Sequence, residues 1–272
     1  MRFKGTAALA AVFIGIVFYY FLIDLPSEQR KQEEKDRAEK VILFDSENVK
    51  SISFIKGENT IILKRLGTDE WQMTAPVNAK GDASAVSDFV SFLNNLNFTR
   101  VVEESPKDLT PFGLDTPDLK IILLMNNGET KGVHVGDDHP MGNKVYLSLL
   151  NGSRVLAAGV TKNRLGRKVH DLRDKTILDF KTSQITKIEF IRNGKTLSLK
   201  KNEESWEVSE GEISAKGNET EITNLLNTIQ SARIEQFVEE KPEQLTSYGL
   251  NNSKLTVKLT ISKASEPLVL LI

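Results

Sequence analysis

Apolar and polar residues alternate with a period of two around Ile52 and Phe54, and again around Ile61 and Leu63. That period puts the apolar set on one face of a strand, so the two runs predict a β-hairpin turning at Lys56-Gly57-Glu58-Asn59. The period then changes. Val86, Phe89, Val90 and Leu93 fall at i, i+3, i+4 and i+7, the stripe of a helix laid on a sheet, and Asp82 stands where its cap belongs. After a Pro-containing loop the alternation returns at Leu119, Ile121 and Leu123 and continues through residues 131–136, 144–149 and 154–158.

The same pattern recurs further along the chain. Ile52 and Ile188, Phe54 and Phe190, and Leu63 and Leu199 are each separated by 136 positions, and Trp71 and Trp206 by 135. Ala79-Lys80-Gly81 matches Ala215-Lys216-Gly217, Leu109-Thr110 matches Leu245-Thr246, and Phe112-Gly113-Leu114 matches Tyr248-Gly249-Leu250. Aromatic meets aromatic and glycine meets glycine in order, the mark of a duplicated supersecondary unit. The second copy repeats the hairpin at Asn193-Gly194, the helix at Ile222, Leu225, Leu226 and Ile229 behind Asn218 and Glu221, and the strand at Leu255, Val257, Leu259 and Ile261. Ile272 aligns with Gly136, so the second copy is expected to lack roughly 40 residues of the first, as a fragment or truncated gene product would. Each tryptophan reads as a core plug rather than a ligand contact.

The N-terminus follows a third pattern. Arg2 and Lys4 precede an uncharged run, residues 5–23, long enough as a helix to reach about 28 Å, nearly a bilayer's apolar thickness. A cleaved signal peptide is the competing reading, with a usually shorter apolar region and a small-x-small site that is not found after Ile23. The run therefore predicts a retained anchor, residues 1–26 with a short cytoplasmic end, oriented N-in and C-out. Residues 27–44 follow as a charged stalk carrying Glu33/Arg37 and Asp36/Lys40 pairs at i, i+4. The first repeat is assigned to residues 45–180 and the second to 181–272.

Composition narrows the chemistry. The 36 basic and 37 acidic side chains nearly cancel, which disfavours nucleic acid as a partner. No cysteine is present, excluding disulfides, thiolate metal sites, a cysteine nucleophile and a lipidated cysteine. His134 and His139 flank Asp137 and Asp138, a weak metal signal in which His134 suits the solvent face of a strand and the aspartates suit a turn. His170-Asp171 resembles a catalytic pair, but no G-x-S-x-G elbow accompanies it, and no phosphate-cradling glycine loop is present. Lys162, Arg164, Arg167 and Lys168 form a basic cluster between the copies, read as a solvated face. No catalytic, cofactor-binding or metal residue is assigned.

One ordered set of motifs remains: Trp71 with Pro76, the Asp82-led helix, Phe112-Gly113-Leu114, Val135-Gly136, Val145-Tyr146 and Leu172-Arg173-Asp174-Lys175. It resembles the bacterial domain of unknown function family 4340, over residues 45 to 180 and more weakly over 181 to 272, where no proline matches Pro76. The resemblance implies a membrane-anchored extracytoplasmic protein, often encoded beside ABC transporters of the gliding-motility type, and carries over no activity or catalytic residue. The expected fold is α+β: a transmembrane helix at the N-terminus, then two tandem antiparallel sheets, each with one packed helix. The expected function is a non-enzymatic accessory or scaffold protein of the inner membrane, its bulk periplasmic. Its expected partners are the bilayer through residues 5–23 and ABC transporter subunits or other envelope proteins. Alternatives are a module binding an envelope glycan or other ligand between the copies and, behind it, a hydrolase with dispersed residues.

Overall fold

The structure is a computed structural model that describes Phe13, Tyr19, Tyr20 and residues 25–272 apart from Glu204. Among the described residues no helix is long and apolar enough to cross a membrane. The expected anchor, residues 5–23, lies outside the described residues except for Phe13, Tyr19 and Tyr20. The charged stretch after it forms helix α1 (Leu25–Ala38).

The chain divides between Asp174 and Lys175 into two compact units. In the first, nine strands form one antiparallel sheet in the order β4-β3-β2-β1-β6-β7-β8-β9-β5. They are β1 (Val49–Lys56), β2 (Asn59–Gly67), β3 (Glu70–Ala75), β4 (Ala79–Lys80), β5 (Phe98–Glu103), β6 (Leu119–Met125), β7 (Thr130–Asp138), β8 (Val145–Leu149) and β9 (Val155–Ala158). The predicted alternation sets the register, with Ile52 opposite Leu63 on one side and Leu123 on the other. Helix α2 (Ala83–Asn94) buries Val86, Phe89, Val90 and Leu93, the expected stripe, and Asp82 caps it by accepting from the Ala85 amide at 3.0 Å. The Phe89 ring lies 4.9 Å from that of Phe54, which seats the helix on the sheet. Two short helices, α3 (Lys162–Leu165) and α4 (Val169–Leu172), complete this unit.

The second unit repeats six strands of the first. Its sheet runs β13-β12-β11-β10-β14-β15, the order of β4-β3-β2-β1-β6-β7. The strands are β10 (Ile185–Arg192), β11 (Lys195–Asn202), β12 (Ser205–Glu210), β13 (Ile213–Lys216), β14 (Thr256–Ile261) and β15 (Leu268–Leu271), and the helix is α5 (Glu219–Ser231). Ile188 pairs with Leu199 and Leu259, as Ile52 does with its equivalents. Even the irregularities coincide, because the register shift between Val49 and Ser51 recurs between Ile185 and Lys187. In the second hairpin Asn193 and Gly194 both take positive φ, the backbone that a two-residue turn matching strand twist requires. Ile222 and Leu226 of α5 join Trp206, Ile188 and Leu259 in a separate, smaller core.

The repeat begins earlier than residue 45. Lys40 bridges Asn97 and Thr176 bridges Arg233, and the Glu39 carbonyl accepts from the Phe98 amide as that of Lys175 accepts from Ile234. Each of these pairs is again 136 positions apart. Val41 and Ile42, assigned to the stalk by their neighbours, are therefore core residues, 2% and 4% exposed. Residues 175–180 likewise go with the second unit, where Phe180 is buried. Strand β5 stands where a Pro-containing loop was expected. Its burial does not alternate cleanly, and its pairing with β9 runs through two register shifts.

Candidate functional site

The histidine–aspartate turn at the end of β7 is built from ordinary fold contacts. His134 sits in mid-strand opposite Lys120 and Ser148 and is half-buried rather than fully solvated. Burial, and secondarily the Lys120 ammonium, holds its imidazole below the usual histidine pKa. His139 is buried; its Nδ1 accepts from the Met141 amide at 3.1 Å, and its ring lies 5.2 Å from that of Tyr146. Lys162 draws the acidic residues together. Its Nζ is 2.9 Å from Asp118 and 3.7 Å from Asp137, and its amide donates to Asp138 at 3.4 Å. The Lys162 hydrogen bond and charge depress the Asp118 pKa. Among the described residues, no group of three or more acidic or histidine side chains could hold a metal ion.

The remaining sequence candidates also have structural roles. His170 is exposed on α4, while Asp171 accepts from the Lys168 amide at 3.0 Å and caps that helix. The basic cluster is solvated at Arg164 and Lys168 and half-buried at Lys162 and Arg167. The guanidinium of Arg164 lies 4.7 Å from the Phe92 ring centroid and that of Arg167 4.9 Å from Phe89, so both cover the aromatic side of α2.

The family-like motifs converge in two places. Phe112 meets Tyr146 edge to ring at 5.1 Å, and Gly136 lies so close to the Phe112 carbonyl and Leu114 that a side chain there would collide with both. Gly113 takes a positive φ of 63°, and a Cβ on it would fall 2.6 Å from the Asp137 carboxylate. At the β4 edge of the sheet, Gly81 bridges Arg173, the Asp82 amide donates to the Leu172 carbonyl at 2.9 Å, and Lys80 pairs with Asp174 at 3.1 Å. Trp71 lies beneath this strap, 1% exposed. Sequence reasoning missed Arg65, whose guanidinium lies 4.8 Å from the Trp71 ring centroid and donates to the Ser46 and Glu47 carbonyls. No motif marks it, because its partners are backbone atoms 18 and 19 residues away.

Several open clefts lie among the described residues of the first unit, and two of them bear on these side chains. One, of about 580 Å³, is polar and surrounds Arg65, Glu47 and Ser91. The other, of about 490 Å³, is mainly apolar and opens between residues 41–43 and the turn from β8 to β9.

These features define a tandem-repeat α+β protein in which the recurring motifs hold strands and turns together. The sequence profile described as Domain of unknown function (DUF4340) matches residues 71–266, and the chain belongs to that family. The match begins at Trp71 and runs through both units. No curated protein and no solved structure matches the chain.

Proposed function

We propose that this protein is a membrane-anchored, extracytoplasmic accessory or scaffold protein, non-enzymatic, that presents two like modules to an ABC-type transporter or another envelope protein. The observation that carries the reading is the duplication itself: six strands recur in one order and one register in two sheets, each with its own core. A duplicated module offers paired surfaces of similar shape, which suits a presenting subunit. Asp171 caps a helix, His134 pairs within the sheet, and Arg164 and Arg167 stack on aromatic rings. The basic residues ahead of the apolar segment 5–23 support an inner-membrane anchor with the modules outside.

In-cell crosslinking of the full-length protein, detergent extraction and mass spectrometry test the proposal. Transporter or envelope proteins recovered in stoichiometric amount would support it. Recovery of no protein partner would overturn the scaffold role, and a reporter fused after residue 44 that reads cytoplasmic would overturn the topology.

A further inference from the structure

The apolar cleft of the first unit has the size and lining of a ligand site. Its volume of about 490 Å³ falls within the range of roughly 300–1,000 Å³ usual for small-molecule pockets. Val41, Ile42 and Leu156, all nearly inaccessible, contribute to its wall, while Leu43 and Leu149 remain 51% and 37% exposed to solvent. Apolar side chains left open around a concave surface mark a place where an apolar guest gains burial.

The charges around the cleft are one-sided. Arg37, Lys40, Lys131 and Arg154 line it, against a single carboxylate, Glu129. Lys131 is tied by donating to the Leu43 carbonyl at 2.8 Å and lies 3.6 Å from Glu129, and Arg154 reaches out to Glu104 at 2.9 Å. Arg37 and Lys40 stand at the end of α1 and the start of the module, and Lys40 donates to the Asn95 side chain at 3.5 Å. Cations at the rim and an apolar interior complement a molecule with one anionic end and one hydrocarbon end.

We propose that this cleft binds an anionic amphiphile, its acyl chain against Ile42, Leu43, Leu149 and Leu156 and its carboxylate or phosphate head near Arg37 and Lys40. The site goes beyond the scaffold role and stands on its own geometry. The chemistry is that of a fatty acid or of a single-chain phospholipid.

The test uses the full-length protein in maltoside detergent, photolabelled with a diazirine-bearing palmitic acid and mapped by peptide mass spectrometry. Labelling is expected within residues 41–43 and 149–156. Excess laurate and lysophosphatidic acid should both suppress it, and the more potent of the two identifies the source of the head group. Inorganic phosphate and dodecyltrimethylammonium should not. Because Leu43 and Leu149 are exposed, the double variant Leu43→Glu/Leu149→Glu should fold, as circular dichroism would verify, and lose roughly tenfold in labelling. Arg37→Glu/Lys40→Glu, a second variant whose fold circular dichroism would verify in the same way, should weaken laurate competition. Absence of label from the cleft, equal suppression by dodecyltrimethylammonium, or undiminished labelling of both folded variants would overturn the proposal.

Discussion

The Gly81 amide donates a 2.7 Å hydrogen bond to the carbonyl of Trp71, and 136 residues later the Gly217 amide makes the same 2.7 Å bond to Trp206. A Cβ on Gly81 would lie 3.0 Å from both the Cβ and the carbonyl oxygen of Trp71, and one on Gly217 would meet Trp206 at 3.0 and 3.1 Å. The glycines are thus spacers that let a strand pass over a buried ring. Gly81→Ala and Gly217→Ala should each destabilise their own unit by about 1–3 kcal/mol, the usual cost of overpacking. Hydrogen exchange resolved by peptide should show faster opening confined to the unit that carries the substitution.

Trp71 should be the more instructive residue to truncate. It is 1% exposed, yet its indole N–H has no acceptor among the described residues, so its contribution is packing rather than hydrogen bonding. Trp71→Ala is expected to cost about 3–5 kcal/mol in urea denaturation. Trp71→Phe should cost clearly less, because it keeps a ring beneath Arg65 and removes the buried, unsatisfied donor.

Gly136 carries a similar constraint at the far end of β7, beneath the Phe112-Gly113-Leu114 turn. Gly136→Ala would force the Phe112 carbonyl away from the strand and displace the buried side chain of Leu114. A loss of about 1–3 kcal/mol is expected. The substitution should also loosen the Phe112–Tyr146 contact, measurable as a change in Tyr146 fluorescence or proton shifts.

His134 should make the first unit sensitive to mild acid. Its folded pKa lies below the usual value of about 6.5, so below that pH the unfolded chain binds the proton more readily. Stability is therefore complete above about pH 6.5 and is lost as pH falls towards the folded pKa. Asp118, also depressed, titrates only below the ordinary carboxylate pKa of about 3.9 and does not interfere in this window. Urea midpoints at neutral pH and near pH 5.5 should diverge less for His134→Gln than for the unaltered protein; equal divergence would assign the acid sensitivity elsewhere.

The two cores predict independent folding. Residues 39–174 produced alone should unfold in one cooperative transition, since the first core contains Trp71, Phe89, Leu123 and Leu172 without a residue from beyond Asp174. A molten species with no near-ultraviolet dichroism would show that the first unit requires the second.

The sequence by itself determined the duplication, the hairpins, the two helices and the register, because period-two and 3.6-residue patterns are local and a constant offset exposes the repeat directly. Ile52, Phe54, Val86 and Phe89 are buried as their spacing requires. Only the tertiary structure decided where each unit starts. Val41 and Ile42 sit beside a run of charges in sequence, and it is the pairing of Lys40 with Asn97 that draws them into the core. Strand β5 was equally hidden, since its pairing with β9 spans more than fifty residues and its two register shifts break the alternation. Long-range contacts likewise gave Arg164 and Arg167 their aromatic partners and shaped the apolar cleft. Local periodicity reports which face of an element is apolar; it carries no information on which distant segment covers that face or leaves it open.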